Sequence, residues 1–128
     1  MRKISNFQFP ISKIYGKELI LDLYDCDPKI IRSKKKILEY SDRICKLIKV
    51  KKYGKTFVER FGGSSGWGEG YSFFQFIEES SISGHFIENE NSAHINIFSC
   101  KNFNDKKAAA FTKKFFNAKK IKKKILIR

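Results

Sequence analysis

No apolar run in this chain approaches the roughly 20 residues that a membrane-spanning helix needs. Behind the basic start, Met1-Arg2-Lys3-Ile4-Ser5-Asn6, no apolar core and small-residue cleavage site follow. A soluble cytoplasmic protein is therefore expected, without a membrane partner. Cysteine is scarce. Cys26, Cys45 and Cys100 are an odd number without Cys-x-x-Cys spacing, which excludes a disulfide framework and a zinc site. Negative charge is also short: 13 Asp plus Glu stand against 27 Lys plus Arg, a formal net charge of +14. Such a field attracts polyanions. The lysines, however, are scattered over helix backs and an edge strand rather than grouped around stacking aromatics, so no nucleic-acid partner is expected. No internal repeat appears at a useful period.

What is present is material for a core. Hydrophobic residues make up 41% of the 128 positions and aromatics 15%, which excludes a disordered chain and fits one domain. Residues 1–15 lack clear periodicity and read as an N-terminal arm, with a single domain over 16–128. Leu19, Leu21 and Leu23 alternate in a strand ending at Tyr24. Asp27 is then an N-cap and Pro28 a first helical residue. Ile30, Ile31, Ile37, Leu38, Ile44, Cys45 and Ile48 give an amphipathic helix of about 20 residues.

Four strands follow, over 56–61, 71–77, 81–87 and 93–99. The segment 62–70 holds five glycines in nine positions and the only tryptophan, Trp67; it reads as a loop bordering a site. Asn104 or Asp105 caps a second helix, and the lysine-rich stretch 119–128 closes the sheet as a protected edge strand. The expected fold is an α+β two-layer sandwich, a mainly antiparallel sheet with two helices on one face.

Chemistry concentrates in Ser72 to His85 and in Asn96-Ile97-Phe98-Ser99-Cys100, where hydroxyls, an imidazole and a thiol fall on neighbouring strands. Ser81, Ser83 and His85 share one strand face, and Ser80 sits at its start. Serine and histidine in β structure usually satisfy hydrogen bonds, and a buried cysteine is usually a small hydrophobe. Spacing alone leaves both readings open. Cys26, Cys45 and His94 are read as structural.

The segment Glu79-Ser80-Ser81-Ile82-Ser83-Gly84-His85 resembles the Glu-Ser-His-Ile-Ser-Ile-His hallmark of the bacterial and archaeal S-adenosylmethionine decarboxylase proenzymes. Asn96-Ile97-Phe98-Ser99-Cys100 is similar to that family's Asp-Ile-Phe-Thr-Cys strand. The early Leu-Ile-Leu-Asp-Leu-Tyr strand is similar too, and a family serine eight residues before the cleavage serine falls on Ser72. The resemblance spans about residues 16–128, apart from the Gly-rich loop.

It implies self-cleavage between Glu79 and Ser80, leaving a covalent pyruvoyl group at position 80. His85 would be the processing base, and Ser72 would steady the intermediate. In turnover the substrate amine would form an imine with the pyruvoyl carbonyl, and Cys100 would return a proton to the α-carbon. The implied activity is a carboxy-lyase reaction feeding spermidine synthesis. The family is commonly dimeric, with sites at the subunit interface.

The sequence departs from the family after the histidine. Thr-Trp-Pro-Glu, which helps to hold adenosine, is replaced by Phe86-Ile87-Glu88-Asn89. Trp67, Phe86, Glu88 and Glu90 are the candidates to substitute in substrate binding. The family's histidine after the cleavage serine is Ser81. Self-processing parts thus match better than nucleoside-binding parts. A pyruvoyl decarboxylase of ornithine or arginine, and an unprocessed regulatory relative, stand as alternatives.

Overall fold

The alternating leucines resolve into strand β1 (Lys17–Tyr24): Leu19, Leu21 and Leu23 are fully buried, while Glu18, Ile20, Asp22 and Tyr24 face the other way. In this computed structural model, which describes residues 14–62 and 68–128, Asp27 accepts a hydrogen bond from the Lys29 amide at 2.9 Å and Pro28 begins a helix. That helix is not the single one expected. α1 (Pro28–Ile31) closes after one turn, and Ser33 caps α2 (Lys34–Ile48) by accepting from the Lys36 amide at 3.1 Å. A capping hydroxyl replaces a missing intrahelical bond and is worth about 1 kcal/mol, enough to restart the helix there. Ile31, Ile37, Tyr40, Ile44 and Ile48 are buried on both sides of the break, so the apolar spacing does not reveal it.

The remaining elements are β2 (Phe57–Phe61), β3 (Gly70–Ile77), β4 (Ser80–Ile87), β5 (Ser92–Ser99), α3 (Asp105–Phe115) and β6 (Lys120–Ile127). They form one six-stranded antiparallel sheet in the order β2-β3-β4-β5-β1-β6. The helices pack on one face of it. Tyr40 of α2 is the hub of that layer, with its ring centroid 6.0 Å from Phe73 of β3 and 4.8 Å from Phe116 after α3. Its buried hydroxyl meets Thr112 Oγ1 at 2.7 Å, so the phenol costs the core no unsatisfied group. Gly84 of β4 leaves the space that the Phe73 ring occupies; an added Cβ would collide with that ring.

The opposite face carries the residues of the other strand parity: Phe57 and Phe61 of β2, Ser72, Phe74 and Phe76 of β3, Ser81, Ser83 and His85 of β4, and His94, Asn96 and Phe98 of β5. Phe57, Phe61 and Phe76 are 45, 57 and 48% exposed. A soluble monomer rarely leaves such a set of aromatics uncovered.

Candidate active site

The hairpin between β3 and β4 turns on two residues, Glu78 and Glu79, with Ile77 and Ser80 paired at its base. Ser80 has φ 152°, in a region that residues with a Cβ rarely adopt. Holding a non-glycine residue there costs about 1–3 kcal/mol, and such strain persists only where the surroundings over-determine it. The surroundings do so here. The Glu78 amide donates to the Lys51 carbonyl at 2.8 Å, and the Lys51 amide donates to Glu79 Oε1 at 3.1 Å. On the other side, the Glu79 carbonyl accepts the Cys100 amide at 3.0 Å. Ser80 is also in register with Ser99 of β5. Ser99 Oγ bonds the Lys101 carbonyl at 2.7 Å and the Lys101 amide at 2.9 Å, which ties down the chain beyond Cys100. The Glu79–Ser80 peptide is therefore strained on one side and has its carbonyl pinned by an N–H on the other.

Ser72 and His85 form a second cluster. They are direct partners across β3 and β4, and Ser72 Oγ lies 2.7 Å from His85 Nδ1. His85 is five residues along β4 from Ser80, roughly 16 Å at the rise of a strand. One chain thus brings Glu79, Ser80 and Cys100 together and Ser72 and His85 together, but it does not join the two groups.

His94, which the sequence reads as structural, centres a third group. His94 of β5 pairs with His85 of β4. Its Nδ1 is 2.7 Å from Asp22 Oδ1, and its Nε2 is 3.2 Å from the hydroxyl of fully buried Ser92. Cα partners run Glu59, Ser72, His85, His94, Asp22, Lys122 across all six strands. Strand alternation places each residue on a face, but only pairing register aligns them in one row, and register is a tertiary property.

The substrate-binding candidates fare differently. Phe86 is a correction: it is 1% exposed, stacked on Phe73 and packed against Phe116 on the helix side, so it offers no ring to a ligand on the open face. Glu88 is also corrected. Both its carboxylate oxygens are taken by Arg60, Oε1 at 2.8 Å from Nη2 and Oε2 paired with Nη1. Arg60 also holds Glu69 at 2.8 Å. Its hydrogen bonds hold the Glu88 carboxyl below the usual range, and they push the guanidinium up. Glu90 is exposed on the short 3₁₀ turn before β5. Trp67 lies outside the described residues.

The Arg60–Glu88 pair closes the end of β2 onto the end of β4. Glu88→Gln is expected to lower stability at pH 7 by about 1–2 kcal/mol, since Arg60 loses a charged partner but stays partly solvated. The folded carboxyl titrates below its unfolded value, so its contribution is present above about pH 4.3 and is lost as pH falls through the folded value. Urea midpoints of wild type and variant should therefore converge in acid. A constant gap would assign the loss to packing instead.

Cys26 and Cys45 are buried. Burial, helped by Asp25, pushes the Cys26 thiol up to about 12, and burial pushes Cys45 up to about 11. Neither is a thiolate near neutrality. Among the described residues, no group of three or more His, Cys, Asp or Glu is placed to hold a metal ion. No helix among them is long and apolar enough to cross a membrane.

The family model for S-adenosylmethionine decarboxylase matches residues 17–128 of the chain. Among solved structures, the adenosylmethionine decarboxylase from Aquifex aeolicus VF5 superposes with a TM-score of 0.76, covering 91% of this chain and 92% of that one. At 21% sequence identity that likeness speaks for the fold. No curated protein matches the chain.

Proposed function

Because the chain belongs to the S-adenosylmethionine decarboxylase family, we propose that it cleaves itself between Glu79 and Ser80 and then decarboxylates S-adenosylmethionine with the pyruvoyl group so formed. The observation that carries the reading is the Glu79–Ser80 peptide itself, with Ser80 at φ 152° and the Glu79 carbonyl accepting the Cys100 amide at 3.0 Å. An N–H aimed at a carbonyl oxygen stabilises the negative charge that appears there when a nucleophile adds.

Ser80 Oγ adds to the Glu79 carbonyl carbon, the C–N bond breaks, and the hydroxyl proton ends on the Ser80 nitrogen. The peptide has become an ester, and the strain at Ser80 is released. A base then removes the Ser80 α-proton while the Cβ–Oγ bond breaks, and the acyl half leaves with a Glu79 carboxylate terminus. The remaining dehydroalanine takes up water and loses its nitrogen as ammonia, which leaves a carbonyl at position 80. The residues present fit that group: a serine at a strained turn and, before it, a carbonyl pinned by the Cys100 amide. The pyruvoyl carbonyl supplies an electron sink for the pair of electrons that carbon dioxide leaves behind. Cys100 then returns a proton from Sγ to the substrate carbon.

His85 and Ser72 are the base and its hydroxyl partner, and their distance from Ser80 requires a second copy. Two chains packed open face to open face, in opposite directions, put Ser72 and His85 of one beside Glu79, Ser80 and Cys100 of the other. The half-exposed Phe57, Phe61 and Phe76 support this arrangement, because it covers them. Each dimer then holds two composite sites.

The test is intact mass followed by turnover. Expected are chains of residues 1–79 and 80–128, the second starting with a carbonyl, and carbon dioxide release from S-adenosylmethionine but not from ornithine or arginine. A wild-type protein that stays one chain with a free serine sinks the pyruvoyl reading. Release from ornithine or arginine alone moves the substrate and leaves the cofactor standing.

A further inference from the structure

Gln75 is a fully buried polar side chain on the helix side of β3, between buried Phe73 and Ile77, and the proposed chemistry does not use it. Both polar atoms of its amide are engaged. Nε2 donates toward three carbonyls, Phe76 at 2.7 Å, Gly54 at 3.2 Å and Tyr53 at 3.3 Å. Oε1 accepts from the Thr56 hydroxyl, whose oxygen lies 3.0 Å from the hydroxyl of fully buried Ser41 in α2. Thr56 has one hydroxyl proton and gives it to Gln75, so Ser41 donates to Thr56. The bonds thus run from α2 through Thr56 into β3.

What Gln75 holds is the segment that clamps the cleavage turn. Between the Phe57–Phe74 pair and the Lys52–Ile77 bridge, five residue steps of one chain run against three of the other, so the chain bulges before β2. The Tyr53 and Gly54 carbonyls that meet Gln75 belong to this bulge, and the Tyr53 amide donates to the Phe76 carbonyl at 2.8 Å. Just before it, Lys51 accepts from the Glu78 amide and donates to the Glu79 carboxylate. Residues 51–54 are therefore a strap with one end on Gln75 and the other on the Glu79–Ser80 turn. Lys51, Tyr53 and Gly54 are exposed, so core packing does not fix the strap; hydrogen bonds do.

We propose that Gln75 is a positioning residue for the Glu79–Ser80 peptide: by fixing the strap, it lets Lys51 hold the turn with Ser80 at φ 152°. A strained backbone persists only while its surroundings are themselves held. The effect on rate rests on the self-cleavage proposed above; the effect on strain does not.

The test of strain uses chains that cannot cleave. Ser80→Gly and Ser80→Ala are compared by urea midpoint, first alone and then each with Gln75→Met, which fills similar space but holds no carbonyl. The advantage of glycine over alanine should shrink to about half or less when Gln75 is replaced. A purely structural role lowers both chains equally and leaves the gap unchanged. An unchanged gap, or no gap with Gln75 present, overturns the inference. Thr56→Val, a milder change that removes the hydroxyl on Gln75 Oε1, should shrink the gap in the same direction and carries the test if Gln75→Met does not fold. Thr56→Ser, which keeps the hydroxyl, should restore the gap; a serine that behaves like valine overturns the inference.

The test of rate uses chains with Ser80 intact, followed by intact mass at a temperature where each variant is folded. Gln75→Met should cleave about tenfold more slowly than wild type, since small misplacements of reacting atoms cost that much or more. Thr56→Val should be slowed less, and Thr56→Ser should cleave near the wild-type rate. Undiminished cleavage in Gln75→Met and Thr56→Val overturns the positioning role. A shrunken gap in a protein whose wild type never cleaves upholds the coupling of Gln75 to Ser80 and overturns self-cleavage alone.

Discussion

Ser80→Ala is expected to remain one chain of 128 residues and to release no carbon dioxide from S-adenosylmethionine. The substitution removes the only atom that can convert the Glu79–Ser80 peptide into an ester, and with it the source of the prosthetic carbonyl. Its fold should be untouched. Alanine keeps the Cβ that makes φ 152° costly, so the strain stays as it was. Ser80→Gly separates the two effects. It also lacks the hydroxyl and should not cleave, but glycine adopts that backbone freely, and the fold should gain about 1–3 kcal/mol. Intact mass and urea midpoints measure both. Fragments 1–79 and 80–128 from Ser80→Ala would place the nucleophile elsewhere. A Ser80→Gly protein no more stable than Ser80→Ala would mean that the turn stores no strain.

Mixing two inactive chains should restore cleavage. His85→Ala alone is expected to process about 10²–10⁴-fold more slowly, the usual cost of losing a general base, and Ser80→Ala alone not at all. When the two are unfolded together and refolded, the composite site predicts that mixed dimers join Ser80 of the His85→Ala chain to His85 of the Ser80→Ala chain. Random pairing puts about half of the His85→Ala chains in such dimers, and that fraction should cleave at the wild-type rate. Isotope labelling of one chain shows by mass which one is cut. No cleavage in the mixture, while wild type cleaves normally, would confine the site to one chain. That result would require Ser72 and His85 to reach Ser80 by a rearrangement of β4.

Most of the fold is legible locally because its signals are local. Alternation at Leu19, Leu21 and Leu23, the Asp27-Pro28 helix start and the Asn104 cap each depend on residues within one turn or one strand. The break at Ser33 escapes because the apolar stripe runs through it, and a single hydroxyl decides the matter. Phe86 and Glu88 look like binding residues as letters after a histidine. Strand parity turns the Phe86 ring to the core, and Arg60, 28 residues away in sequence, takes both Glu88 oxygens. No local pattern marks a distant partner.

The sequence by itself determines which groups are available: a serine after a glutamate, a histidine five residues on, a thiol on a later strand, and the alternation that puts each on a face. Those are properties of chain order and of a side-chain period of two. Tertiary structure decides which of them meet. Antiparallel register draws Cys100 to the Glu79 carbonyl and sets Ser72 against His85, yet keeps the two groups roughly 16 Å apart, because β4 is extended and five residues of a strand cannot fold back on themselves. The same register lines His94 and Asp22 up with His85, although Asp22 is 72 residues from His94 in the chain. Hydrogen-bonded pairing across strands, rather than sequence distance, is what turns scattered residues into a site.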